Sequence, residues 1–226
     1  MKRINLIITI LLLVISVSIL WAKDIDEIKL SAKEVFVENE EFDYQIMDMK
    51  ENKVLTQSKI VCKIDDDELE ITDSANRSKI VVNKTTLEPK NGKVVIEYNG
   101  TYNIDTRFSE DSIYIDASTP QGDQSMVVEK PEGILLHNDQ ILMSLRAMDF
   151  TKEKQKTIIF VPANGKTMDL VLVVGEKENF EVPAGKFEVY PVTLDFGVAT
   201  QTAYYEVESP HRMIAYDNGT IQYQLK

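Results

Sequence analysis

The side chains of this chain that first invite chemistry are two histidines, one cysteine and a run of four acids. His137 and His211 lie far apart in the sequence. A metal centre or a Ser-His-Asp relay needs several partners to converge on such a residue. No G-x-S-x-G elbow and no H-E-x-x-H pattern is present. His137 precedes a helical pattern and His211 follows Pro210, so both read as turn or surface residues. Cys62 alternates with Ile60 and Ile64 and reads as a buried small hydrophobe. As the single cysteine, it excludes an intrachain disulfide and a zinc centre of several thiolates. Asp65-Asp66-Asp67-Glu68 lacks the spaced ligands and central glycine of an EF-hand loop and reads as a solvated turn. No catalytic residue, metal ligand or cofactor is assigned.

Other groups offer charge or aromatic surface. Arg146 stands between Leu145 and Ala147 on the helical pattern. Its guanidinium is expected to be buried against a carboxylate such as Glu178, or to make a solvent-facing or interface ion pair. Tyr204, Tyr205, Tyr216 and Tyr223 fall in the last strand-like runs and read as sheet packing ahead of a ligand stack. Asn-x-Ser/Thr sequons at Asn76, Asn83, Asn99 and Asn218 matter only in a eukaryotic secretory pathway. Residue types and spacing leave the ligand-binding residues unknown.

The elements that must position these groups are mostly strands. Phe42, Tyr44 and Ile46 alternate with polar residues, as do Ile60, Cys62 and Ile64 and then Val94, Ile96 and Tyr98. Asn99-Gly100 between two alternating runs is a strong hairpin signal. Residues 119–125, with Pro120 and Gly122, read as a loop. One segment breaks the pattern. In NDQILMSLRAMDF, from Asn138 to Phe150, Ile141, Leu142, Leu145 and Met148 recur at helical spacing, and Asn138 or Asp139 suits an N-cap. The spacing predicts about three turns of amphipathic helix. About a dozen strands with one helix packed on or in them make the class all-β and mainly antiparallel, a curled sheet or half-barrel.

Composition adds bounds. Hydrophobic residues make up 43% of the 226, enough to bury a core. The formal net charge of −12 disfavours nucleic acid and anionic lipid as electrostatic partners. Met1-Lys2-Arg3 followed by the apolar run Ile4 to Leu20, with small residues at Ser16, Ser18 and Ala22, has the layout of a secretory signal peptide. The run is also nearly long enough for an uncleaved anchor over residues 4–22. Residues 1–22 are thus read as leader or anchor, and 23–226 as one extracytoplasmic domain.

Residues 174–196 read strand, turn, strand. Phe180 and Val182 end the first strand, and Pro183-Ala184-Gly185 turns the chain. The apolar face then switches from Phe187 and Val189 to Tyr190, Val192 and Leu194, which predicts a bulge or an edge near Tyr190 and Pro191. The motif Gly175, Glu178, Val182, Pro183, Ala184, Gly185 and Phe187, with LRAMDF and IIFVPANGK before it and a strand hairpin after it, resembles a family of uncharacterised secreted bacterial β proteins, a domain of unknown function. Glu178 stands one position off that family's spacing. The family is similar in architecture to periplasmic lipoprotein carriers, whose half-barrel encloses an apolar cavity plugged by a helix. The resemblance implies a periplasmic or secreted half-barrel and no established activity.

The leading expectation is therefore a non-catalytic extracytoplasmic binding protein. Its concave face would take an apolar or lipid-like ligand, such as a lipoprotein acyl chain, with residues 139–148 as plug or lid. The alternative is an envelope-associated structural or protein-interaction module with no internal ligand.

Overall fold

The computed structural model describes residues 25–32 and 35–226, so the leader read over residues 1–22 lies outside the described residues. Among the described residues, no helix is long and apolar enough to cross a membrane.

Strand-forming alternation continues through nearly all of the described chain, and sixteen strands result, above the dozen expected. They are β1 (Asn39–Asp48), β2 (Lys53–Asp65), β3 (Glu68–Asp73), β4 (Ser78–Asn83), β5 (Pro89–Glu97), β6 (Thr101–Phe108), β7 (Ser112–Thr119) and β8 (Gly122–Glu129) in the first half. The second half holds β9 (Leu135–His137), β10 (Lys154–Val161), β11 (Lys166–Val174), β12 (Glu178–Val182), β13 (Gly185–Asp195), β14 (Thr200–Glu206), β15 (Met213–Asp217) and β16 (Ile221–Leu225). β1 to β8 form an antiparallel meander, and β1 pairs on its other side with β16. From β16 the order runs back through β15, β14, β13, β11 and β10 to β9, with β12 paired to β13 beside this path. The class is all-β and mainly antiparallel, an open and strongly curled sheet.

Among the described strands, β9 and β10 are the pair that runs parallel. A parallel connection must cross a face of the sheet, which usually takes a dozen or more residues. Here the crossover is the predicted helix. It forms a 3₁₀ turn (Asn138–Gln140), one turn of α-helix (Ile141–Ser144) and a second 3₁₀ turn (Leu145–Ala147). A single amphipathic stripe does not describe it: Gln140, Ile141, Met143, Ser144, Leu145 and Arg146 are all buried, on every side of the segment. It is a plug, enclosed by strands and loops from both halves of the sheet. Gln140 Nε2 donates to the Leu87 carbonyl at 2.8 Å, and Tyr205 Oη donates to the Leu142 carbonyl at 2.9 Å. The N-cap is neither Asn138 nor Asp139. His137 Nδ1 accepts from the Asp139 amide at 3.2 Å, and Gln140 Oε1 accepts from the His137 amide at 3.2 Å.

The two ends of the open sheet approach each other without a hydrogen-bonded ladder. Ile104, Ile113 and Ile115 of β6 and β7 pack on Leu135 of β9 and Phe160 of β10. Burying side chains of this size contributes about 1.5–3 kcal/mol each, so an apolar seam substitutes for backbone pairing. The β10–β11 turn bridges the same seam. Gly165 has φ +64°, and a Cβ there would lie 2.8 Å from Met126 Sδ and 3.2 Å from Ile115 Cδ1.

Two further expectations change. Residues 119–125 are not all loop: Pro120 and Gln121 turn the chain, and β8 begins at Gly122. The face switch in β13 does not arise from a register shift within that strand. Its first half pairs with β12 and its second half with β11, and the partner changes between Val189 and Val192. Pro191 sits at that junction, where the Gly175 amide donates to its carbonyl at 2.8 Å. The missing Pro N–H faces the same gap between β12 and β11 and costs no ladder bond. A register shift does occur across the sheet, between Tyr204 and Tyr205, and Tyr204 is the partner of Pro191.

Candidate functional site

The curled sheet and its plug leave room both between plug and sheet and along the seam. The inner cavity, about 170 Å³, has Ile60, Ile71, Ile141 and Leu194 among its apolar lining and Asp73, Asp139, Tyr216 and Tyr223 among its polar lining. Sites that bury most of an organic ligand occupy about 300–1,000 Å³. This cavity beside the plug falls below that range. A second depression, about 430 Å³, shares Asn76, Asn138 and Asp139 with the first and reaches Val94, Ile96 and the turn residues Pro162 and Ala163. A third, about 260 Å³, shares Pro162 and Ala163 with the second and extends over Ile104, Ile115, Ala117 and Met126. Strand register links the last two. Val94 pairs with Ile104, Ile104 with Ala117 and Ala117 with Gln124, so one row of side chains crosses β5 to β8. The depressions adjoin as a groove with two acids at its inner end and a mixed outer end, where Ile104, Ile115 and Met126 stand among Thr119, Gln121, Gln124 and Ser125.

Asp139 stands where the inner two depressions meet, with a side chain only 11% exposed. Burial pushes its carboxyl up to about 6, Asp73 adds to the shift, and hydrogen bonds from Asn138 and the Asp139 backbone oppose it. His137 Nδ1 is 3.5 Å from Asp139 Oδ2. That imidazole is no counter-charge, because complete burial pushes His137 down to about 3 and keeps it neutral. With Nδ1 accepting from the Asp139 amide, the ring proton sits on Nε2, which is buried without a partner. The ring packs among Phe108 and Phe160, and a Cβ on Gly92 would lie 2.9 Å from Nε2. Asp73, by contrast, is well supplied with donors: Ser58 Oγ at 2.5 Å, the Ala75 amide at 2.9 Å, and the Asn76 amide and side chain at 3.2 and 2.9 Å.

The residues singled out by sequence fall in different places. His137 is not at the surface but in the seam. His211 lies in the β14–β15 connection, its ring 4.6 Å from that of Phe150 and its Nδ1 2.9 Å from the Glu206 carbonyl. Cys62 is fully buried, and burial pushes its thiol up to about 12, so it behaves as the hydrophobe expected. Asp65 to Glu68 form the β2–β3 turn, where Lys84 pairs with Asp67 at 3.5 Å and Lys90 with Glu68 at 3.0 Å. No group of three or more His, Cys, Asp or Glu able to hold a metal occurs among the described residues. The tyrosines divide. Tyr205 ties the plug and Tyr204 stacks on Phe180 at 4.2 Å, whereas Tyr216 and Tyr223 line the inner cavity. Tyr216 donates to Gln201 Oε1 at 2.6 Å.

Arg146 is buried, but its carboxylate is Glu40 and not the exposed Glu178 of β12. Both guanidinium NH₂ groups bind Glu40, at 3.0 Å each. Nη2 also donates to the Val35 carbonyl at 3.1 Å and Nε to the Pro210 carbonyl at 3.4 Å. The Phe36 and Phe42 rings lie 4.9 and 5.1 Å from the guanidinium carbon. This site fastens the plug to the residues leading into β1.

No protein-family model matches the chain, and no curated protein matches it. Among solved structures it is similar to the crystal structure of a β-barrel-like protein of domain of unknown function DUF1849 from Brucella abortus. The TM-score is 0.50 at 10% identity, covering 82% of this chain and 94% of that one. The fold is β-barrel-like. That likeness supports an uncharacterised β family, and at this identity it carries neither the Val182-Pro183-Ala184-Gly185 turn motif nor a cellular location.

Asp139, Asp73 and Asn76 were missed as site residues by sequence reasoning. Asp139 was visible only as a possible cap. Its burial comes from segments distant in sequence, the β3–β4 turn and the closing β15–β16 hairpin.

Proposed function

We propose that this chain is a non-catalytic extracytoplasmic binding protein that holds an amphipathic, lipid-like ligand along the seam groove. The observation that carries the reading is the run of three adjoining depressions, with Val94, Ile96, Ile104, Ile115 and Met126 among its lining and the buried Asp139 at its inner end. An elongated ligand with one polar end matches that division of surface. The leader pattern of residues 1–22 supports a periplasmic or secreted setting, or attachment to the inner membrane through residues 4–22.

Nile red titration tests the reading. The chain is expected to bind the dye saturably with enhanced fluorescence. Ala163 is an exposed turn residue lining both outer depressions, and Ala163→Trp is expected to weaken dye binding at least about tenfold while leaving the thermal midpoint unchanged. Unaltered binding by that variant would remove the groove as the site.

A second reading, an envelope-associated interaction module, draws on β8. Among the described residues this strand ends the sheet with one edge unpaired, and Met126 and Val127 are exposed on it. An open edge of this kind accepts an added strand from a partner.

A further inference from the structure

The groove's inner end has an electrostatic character that narrows the ligand class. Among the described residues lining the inner cavity, two are acids and none is Lys, Arg or His. Asp73 is engaged by its four donors and is one of the turn's own structural groups. Asp139 is different: it lies almost out of solvent, has no cationic partner, and faces both the inner and the middle depression. The arginine lining the middle depression, Arg77, is already held by Glu97 at 2.5 Å. The imidazole beside Asp139 is neutral. A carboxylate in such surroundings favours an opposite charge brought from outside, since a charge-assisted hydrogen bond is about twice as strong as a neutral one.

The rest of the lining fits the same head group. Asn76, Asn138 and Gln201 line the same cavity as the carboxylate. A primary ammonium carries three donors and no acceptor, so it suits the Asp139 carboxylate, whereas a carboxylate or phosphate head meets like charge. The cavity is large enough for a small head and too small for a bulky one. The negative surface of the chain, −12 overall, favours the approach of a cation as well.

We propose that the groove binds amphipathic primary amines, with the ammonium seated on Asp139 in the inner cavity and the hydrocarbon running under the β10–β11 turn towards Met126. This inference rests on the groove being a ligand site and goes on to assign its specificity.

The test compares three probes of equal length, hexylamine, hexan-1-ol and hexanoate, titrated calorimetrically into the full chain at about pH 7.5. Hexylamine is expected to bind at least about tenfold more tightly than the other two, the scale of one charge-assisted hydrogen bond. Asp139→Asn is expected to remove that preference while hexanol binds as before, and unchanged hexanol binding also certifies the variant's fold. In the unsubstituted chain, lowering the pH from 7.5 to 5 is expected to weaken hexylamine selectively as Asp139 takes up its proton near 6. The other titratable groups facing this space are His137 and Asp73, Tyr216 and Tyr223, and the Arg77–Glu97 pair. His137, pushed down to about 3, and Tyr216, pushed up to about 12, stand outside that window. Equal affinity for the three probes, or an amine preference that survives Asp139→Asn, overturns the amine assignment and leaves the groove standing. Binding of none of the three overturns the groove and the assignment together.

Discussion

Arg146 and Asp139 sit on the same short plug, both nearly or wholly removed from water, and their surroundings are opposite. Arg146 has a bidentate carboxylate, two backbone carbonyls and two aromatic faces. Asp139 has no cation and opens onto a cavity. A buried charge with a full set of partners acts as a fastener, and one without such partners raises its own energy until something supplies them. The contrast separates the end of the plug that holds the fold together from the end that opens onto a cavity.

Breaking the fastener has the largest expected effect. Arg146→Met leaves Glu40, itself only 9% exposed, without its partner, and is expected to cost about 3–5 kcal/mol in urea unfolding. Adding Glu40→Leu is expected to recover a large part of that loss, because the uncompensated charge is then gone. A single variant within about 1 kcal/mol of the parent would put Arg146 in the class of surface pairs.

Removing the other charge works in the opposite direction. The Asp139 carboxyl is raised from 3.8 to about 6 in the folded chain. The folded state therefore holds this proton more tightly than the unfolded one, and the carboxylate destabilises the ligand-free fold progressively as pH rises from about 4 through about 6. At about 1.4 kcal/mol per unit, Asp139→Asn is expected to stabilise the fold by at most about 3 kcal/mol at pH 7 and to give no advantage below about pH 4. Denaturation midpoints measured at both pH values check this, and an equal difference at the two would dissolve the contrast. The smallest effect belongs to a solvated pair. Lys59 lies 2.7 Å from Glu41 with both side chains about half exposed, and Lys59→Ala is expected to leave the melting temperature unchanged within error. A shift of several degrees would show that this exposed pair contributes well beyond an ordinary surface ion pair.

How much of this was legible varies with the element. Phe42, Tyr44 and Ile46 alternate because one face of β1 meets the core, and their burial follows the pattern. β8 escaped notice because it has no buried face to write an alternation: seven of its eight residues are exposed. β9, with three residues, is too short for any period. The plug was visible through the spacing of Ile141, Leu145 and Met148. Its 3₁₀ turns and all-round burial were not, since they follow from confinement between the two halves of the sheet. Arg146 was recognisable as a candidate for burial, but its partner Glu40 is 106 residues away and could not be chosen over Glu178 by spacing.

The sequence by itself determined the class, the hairpin at Asn99-Gly100 and the inertness of Cys62. Each of these depends on local conformational preference or on which face of one strand a residue occupies. The tertiary structure decided that β9 pairs in parallel with β10, that the sheet's ends meet at an apolar seam, and that Asp139 is buried without a cation. Alternation tells a side chain to point inward without naming what it will meet there. The field at a buried carboxylate is a sum over groups that only the folded chain brings together.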